Sequence, residues 1–192
     1  MSKVSLFLSF VVSMMLLSCG GGGGTTGTTT QQSLHEAYLI DAPIQGMEYR
    51  CTDKIGFSSK DGKIECSTLP VSFYMGKIYL GSVDTIPQDK IIYPANLFGV
   101  DRNNTDDENV IKAAVLLQSL DSDNNLSNGI EIDETTRNLF DEEINISSMN
   151  LEQLKAYALT KKPNTKFKTT QEAIEHLRET MFGEITLSLI HI

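Results

Sequence analysis

The sequence predicts an α+β chain: a small antiparallel β-sandwich-like module, then a three-helix module, both behind a disordered N-terminal tether. Three observations carry this. Within residues 36–83, short runs such as Val71-Ser72-Phe73-Tyr74-Met75 alternate apolar and polar residues and are separated by turn residues. Within residues 84–183, apolar residues recur at helical spacing behind capping signatures. Residues 20–33 contain only Gly, Thr, Gln and Ser, so they have nothing to bury. The expected organisation is an export signal at 1–18, a modified Cys19 with its tether at 19–35, a β module at 36–83, a connector and helical module at 84–183, and a tail at 184–192.

The 192-residue chain carries a formal charge of −9. Lys3 is the only charge in residues 1–18, so the remainder stands at −10 (−9 less one). That balance argues against a nucleic-acid partner, because phosphate binding needs a basic face. It also argues against a polybasic grip on anionic lipid. An acidic surface is ordinarily a solvated face, and it can also hold divalent cations.

The chain opens with Lys3 and a run at 4–17 that is apolar apart from Ser5, Ser9 and Ser13. As a helix this run rises only ~21 Å, short of the ~30 Å hydrocarbon core. It reads as the apolar part of an export signal. Leu16-Leu17-Ser18-Cys19 resembles the lipobox of bacterial lipoproteins, in which an aliphatic and a small residue precede an acylated cysteine. That resemblance implies a lipid on Cys19, cleavage before it, and a lipid bilayer as partner. The alternative is an ordinary signal peptide with an incidental cysteine. Five glycines at 20–24 and the Thr-rich residues after them suit a flexible tether, whose 14 residues at 20–33 span ~20 Å. A diacylglycerol plus an N-acyl chain anchors firmly, where one chain would not. By the same resemblance, Gly20 rather than Asp after the cysteine favours the outer membrane.

In the β module, Met47-Glu48-Tyr49-Arg50-Cys51 reads as a strand, Asp61-Gly62 as a turn, and Ile64-Glu65-Cys66 as the returning strand. An antiparallel return would bring Cys51 and Cys66 together as a disulfide in a compartment that permits one. Two reduced thiols are the alternative. Zinc is disfavoured, with no second close pair and no clustered His. A second hairpin is expected around Gly76. The stretch Asp41-Ala42-Pro43-Ile44-Gln45-Gly46, followed by Ser59-Lys60-Asp61-Gly62-Lys63-Ile64, resembles the carboxypeptidase-regulatory, transthyretin-like β-sandwich repeat. Ser59 and Ile64 stand where that repeat has Thr and Phe. The resemblance covers about a quarter of the chain and implies a non-catalytic accessory or adhesion module.

In the helical module, Thr105 with Glu108 reads as a capping box opening the first helix. Val110, Ile111, Ala114, Val115, Leu117 and Leu120 form its apolar stripe. A second helix is expected at about 151–159, and a third after Thr169 with Glu172 as box partner and Gly183 as stop. Residues 114–132, Ala-Val-Leu-Leu-Gln-Ser-Leu-Asp-Ser-Asp-Asn-Asn-Leu-Ser-Asn-Gly-Ile-Glu-Ile, resemble a module of uncharacterised bacterial exported lipoproteins. Asn124 replaces a Gly of that module, and Leu126 a Pro. With the β module, this resemblance covers most of the chain after the signal and implies architecture and address more than activity.

Asp121, Asp123 and Asn125 match the first three ligand positions of an EF-hand loop and are candidate calcium ligands. Leu126 and Ile132 depart from the rest of that pattern. The alternative is an Asx-rich helix end with a turn at Asn128-Gly129. No nucleophile elbow, phosphate loop or zinc-protease motif occurs, and the three histidines, His35, His176 and His191, are scattered. The chain therefore reads as non-enzymatic: a membrane-anchored binding or adhesion module with an unidentified envelope or extracellular partner. The rivals are the anchor and spacer of a longer exported enzyme, and a structural envelope protein. Ile185, Leu187 and Leu189 alternate like a strand. That strand would return to the β module or open a further domain, unless residues 187–192 are non-native; residue 192 is expected not to be a natural domain end.

Overall fold

The structure, a computed structural model, describes the backbone of residues 34–190 and the side chains of residues 34–183. These residues form an α+β fold of ten strands and five α-helices. The strands of the first half are β1 (His35–Leu39), β2 (Ile44–Gln45), β3 (Glu48–Arg50), β4 (Ile55–Phe57), β5 (Lys63–Cys66), β6 (Val71–Met75) and β7 (Ile78–Val83). The second half adds β8 (Ile91–Ile92), α1 (Pro94–Leu97), α2 (Glu108–Leu120), β9 (Ile130–Glu131), α3 (Glu134–Leu139), β10 (Ile144–Asn145), α4 (Leu151–Lys161) and α5 (Thr170–Ile190).

The strands make a three-stranded sheet ordered β5-β1-β8, a five-stranded sheet ordered β10-β7-β6-β3-β4, and a two-stranded pair β2-β9. The expected hairpin at Gly76 is present: β6 and β7 pair antiparallel, with Met75 opposite Ile78. Alternation along β6 turns Val71, Phe73 and Met75 inward and leaves Ser72 and Tyr74 half exposed. The expected pairing of β3 with β5 does not occur. β3 pairs with β4 and β6, while β5 pairs antiparallel with β1. The short strand β4 takes the edge of β3 that β5 was expected to occupy, so β5 falls to the other sheet.

Strands from the second half complete all three sheets: β8 lies beside β1, β10 beside β7 and β9 beside β2. The two stretches that carry family resemblances therefore meet, with Ile44 opposite Ile130. The glycines flanking this pair are explained by it. Gly129 has φ +110 and an added Cβ would lie 2.8 Å from the Pro43 carbonyl oxygen; Gly46 has φ +78 and its Cβ would fall on the Ile132 carbonyl oxygen. The described residues belong to one compact unit, and one core spans both halves. Phe73, Met75, Ile78 and Leu80 share it with Ala113, Leu116, Leu117 and Leu120 of α2 and with Leu154 of α4. The other side of α2, through Val110, Ala114 and Val115, packs with Ala173, Ile174, Leu177 and Met181 of α5. A helix buried on nearly every side is apolar on nearly every side, which accounts for its broad stripe.

Two helix boundaries differ from expectation. Asp107, not Thr105, caps α2, accepting from the Asn109 and Val110 N–H groups at 2.8 and 3.2 Å. A carboxylate at a helix N-terminus adds charge to the hydrogen bond, which a hydroxyl cannot. Thr105 is instead buried and accepts from Arg178 Nε at 2.8 Å. At the other end α5 runs through Gly183 to Ile190, so the tail to that residue is helical and the expected strand is absent. An interior glycine costs only about 1 kcal/mol against Ala, which does not stop a helix whose glycine need not turn left-handed. The Thr169–Glu172 box does form, with Glu172 Oε2 accepting from Thr169 N at 2.7 Å and Thr169 Oγ1 from Glu172 N at 3.2 Å.

Candidate functional site

The loop after α2 gathers the three predicted calcium ligands, and their oxygens serve the loop itself. Asp121 accepts from the Glu131 N–H at 2.9 Å and the Asn125 N–H at 2.8 Å, holding β9 against the end of α2. Asp123 accepts from Asn125 N and from Asn128 Nδ2, each at 2.8 Å. The Asn125 side chain accepts from Ser127 Oγ at 2.7 Å. Burial raises the Asp121 pKa, while the hydrogen bond from Asn128 lowers that of Asp123. Asn124 adopts φ +58, a left-handed conformation that Asn tolerates better than most residues. This is an Asx-rich turn whose carboxylates accept from backbone N–H groups and from the Asn128 amide. Among the described residues no group of three or more His, Cys, Asp or Glu side chains is placed to hold a metal ion.

A cleft of about 350 Å³ opens on the outer face of the five-stranded sheet, lined by Arg50, Tyr74, Lys77, Tyr79, Glu143, Ile144 and Asn145. Strand alternation places it. Tyr74 and Tyr79 are cross-strand partners beside the β6 register shift, where their rings meet at 5.3 Å between centroids and tilt 55°. Arg50, on β3, lies 4.0 Å from the Tyr74 ring centroid and donates to Glu48 at 2.6 Å. Its pKa is raised by that Glu48 partner. β10, from the second half, brings Ile144 and Asn145 beside Ile78 and Tyr79. The cleft thus offers two aromatic faces, a clamped guanidinium, a primary amine, a carboxylate and an amide. These residues were not singled out from sequence, although period-two alternation already set Tyr74 apart from Phe73 and Met75.

A second polar cluster is fully buried. Asp41 is 0% exposed, in the turn after β1, and its pKa is raised to about 7 by desolvation, opposed by Gln118. Gln118 Nε2 on α2 donates to both Asp41 oxygens at 3.0 Å and to the Ala173 carbonyl at 2.9 Å. His176 on α5 borders the Asp41 main chain, and burial lowers its pKa. Gln118 Oε1 and His176 Nε2 are buried with no hydrogen-bond partner among the described residues.

Cys51, just beyond β3, and Cys66, at the end of β5, stand at disulfide distance, with Cα atoms 5.9 Å apart. They tie the five-stranded sheet to the three-stranded one rather than closing a single hairpin. Cys19, the export signal and the tether lie outside the described residues. No helix among those described is long and apolar enough to cross a membrane. Comparison with protein families, with curated proteins and with solved structures finds no match to this chain.

Proposed function

We propose that this chain is an exported lipoprotein, held to a bilayer by acylated Cys19, whose folded part is a non-catalytic binding module using the tyrosine-lined cleft. The cleft is the observation that carries the binding role. Two rings whose faces meet at an angle, rimmed by Arg50, Lys77, Glu143 and Asn145, suit a ligand with an apolar face and a polar edge. A sugar ring has that form, and glycans are abundant at the outer membrane and cell surface, where the lipobox and Gly20 direct the protein. The cysteine pair at disulfide distance is in keeping with an oxidising compartment outside the cytoplasm.

Two experiments test the two halves of this reading. Cys19→Ala should release the chain from the membrane fraction and abolish incorporation of labelled fatty acid; retention of both defeats the anchoring assignment. Glycan-array or calorimetric binding to purified envelope glycans should be lost in Tyr74→Ala and Tyr79→Ala. Binding that survives both substitutions defeats the cleft as the site.

A further inference from the structure

We propose that the loop joining α4 to α5, closed by the end of α2, is a binding site for a small soluble oxyanion, a phosphate or sulfate group on its ligand. The site is separate from the tyrosine-lined cleft and shares no lining residue with it. It is a cavity of about 520 Å³ whose walls include Lys162, Lys166 and Lys168 together with Asn164 and Thr165.

The distribution of charge points to it. In a chain of net charge −9, residues 161–168 read Lys-Lys-Pro-Asn-Thr-Lys-Phe-Lys, and these four lysines are a quarter of the 16 cationic residues. Lys161 is taken up by Asp141 and Glu142, each at 2.7 Å. Among the described residues, six lysines enter no salt bridge: Lys54, Lys60, Lys77, Lys162, Lys166 and Lys168. Half of those six line this one cavity. Three ammonium groups around one concavity repel one another, and none of the three closes an ion pair among the described residues, although Lys162 lies in the field of Asp133 and Lys168 in that of Glu172.

Two carboxylates also reach the wall, Asp121 and Glu172. Asp121 is buried and Glu172 exposed, and each accepts hydrogen bonds from its own loop, so the lining carries three ammonium groups against two carboxylates. Asp121 accepts from the Asn125 and Glu131 N–H groups, and Glu172 Oε2 accepts from Thr169 N and Thr169 Oγ1 at 2.7 and 2.8 Å. Lys162 Nζ also donates to Thr136 Oγ1 at 3.3 Å, which leaves Lys166 and Lys168 as the principal anion contacts. The loop is held in shape by the Lys168 N–H, which donates to the Ser119 hydroxyl at 2.9 Å, and by Phe167, which packs against the apolar residues on both sides of α2. The lysines therefore project from a fixed frame, and less ordering is needed when a ligand binds. An anionic bilayer would be repelled by the rest of this acidic chain, so a soluble ligand fits better than a headgroup.

The test titrates the full chain with inorganic phosphate and with pyrophosphate, followed by the amide and lysine resonances of residues 162–168 and by thermal unfolding. Binding should be saturable, localised to this loop and weakened by salt. Lys166→Ala with Lys168→Ala should lower affinity by about tenfold or more, since charge-assisted hydrogen bonds to the anion are lost. Lys54→Ala with Lys60→Ala should leave it unchanged. Lys166→Glu, a change at an exposed position, guards against misfolding as the cause and should also abolish binding. Vesicles of phosphatidylglycerol and of phosphatidylcholine form a second arm. Lysine-dependent binding to the former alone keeps the site and reassigns its oxyanion to a lipid. No localised response to phosphate, pyrophosphate or anionic vesicles overturns the proposal, as does a response the lysine variants share with the unsubstituted protein.

Discussion

Asp41→Asn should change the pH dependence of stability more than stability itself. Asp41 is fully buried, lacks a cationic partner among the described residues, and has its pKa raised from 3.8 to about 7 by desolvation. A raised folded-state pKa means that the native protein holds the proton more tightly than the unfolded chain. The contribution is then complete below about pH 4 and is lost as pH rises through about 7. Integrated over that range it amounts to about 4 kcal/mol, of which about 2 kcal/mol falls between about pH 5 and pH 7. His176 acts in the opposite sense: its pKa is lowered by burial, so it withdraws stability as pH falls below about 6.5. The comparison must therefore be variant against wild type at each pH. Asparagine keeps an acceptor for Gln118 Nε2 and offers a donor to the unpartnered Gln118 Oε1. Urea unfolding with the disulfide intact measures the difference. Asp41→Asn should be the more stable protein near neutrality, and its advantage should shrink by about 2 kcal/mol between about pH 7 and pH 5. A difference that does not change with pH, or a variant destabilised equally at both, would refute the buried-carboxylate reasoning.

Three further outcomes are expected. Replacing Cys51 and Cys66 by Ser should cost about 3 kcal/mol by chemical unfolding, the value for releasing a loop of this size, and native protein should show no free thiol at either position. Asn124→Ala should cost about 1 kcal/mol while Asn124→Gly should lie within about 0.5 kcal/mol of wild type, because φ is +58 there and a Cβ without a side-chain amide is penalised in that conformation. Asp121→Ala strands the N–H of Glu131, while that of Asn125 keeps Asp123 as acceptor, and should cost about 1–3 kcal/mol. Calcium and a chelator should give the same unfolding curve if Asp121 and Asp123 serve only the loop's own N–H groups; a calcium-dependent rise in midpoint would support the metal reading.

What the sequence determined by itself was local. The β6–β7 hairpin, the Thr169–Glu172 box and the turn at Asn128-Gly129 each close within a few residues, so adjacent side chains decide them. The α+β class follows from the same local periodicities. Tertiary structure decided what depends on distant partners. β2 meets β9 across 86 residues, with Gln45 beside Glu131, and that pairing brings the Pro43 and Ile132 carbonyls against Gly129 and Gly46, each at positive φ. Asp107 caps α2 with its carboxylate, and Thr105 instead meets Arg178 of α5, 73 residues away. β3 and β5 part company because β4 takes the free edge of β3, although the cysteines still meet. Asp41 reads as an ordinary turn residue until α2 and α5 close over it. Tyr74 and Lys166 become binding candidates only when β10 and the end of α2 supply the opposite walls. Periodicity reports which face of an element is apolar, but burial and enclosure depend on what the rest of the chain places against it.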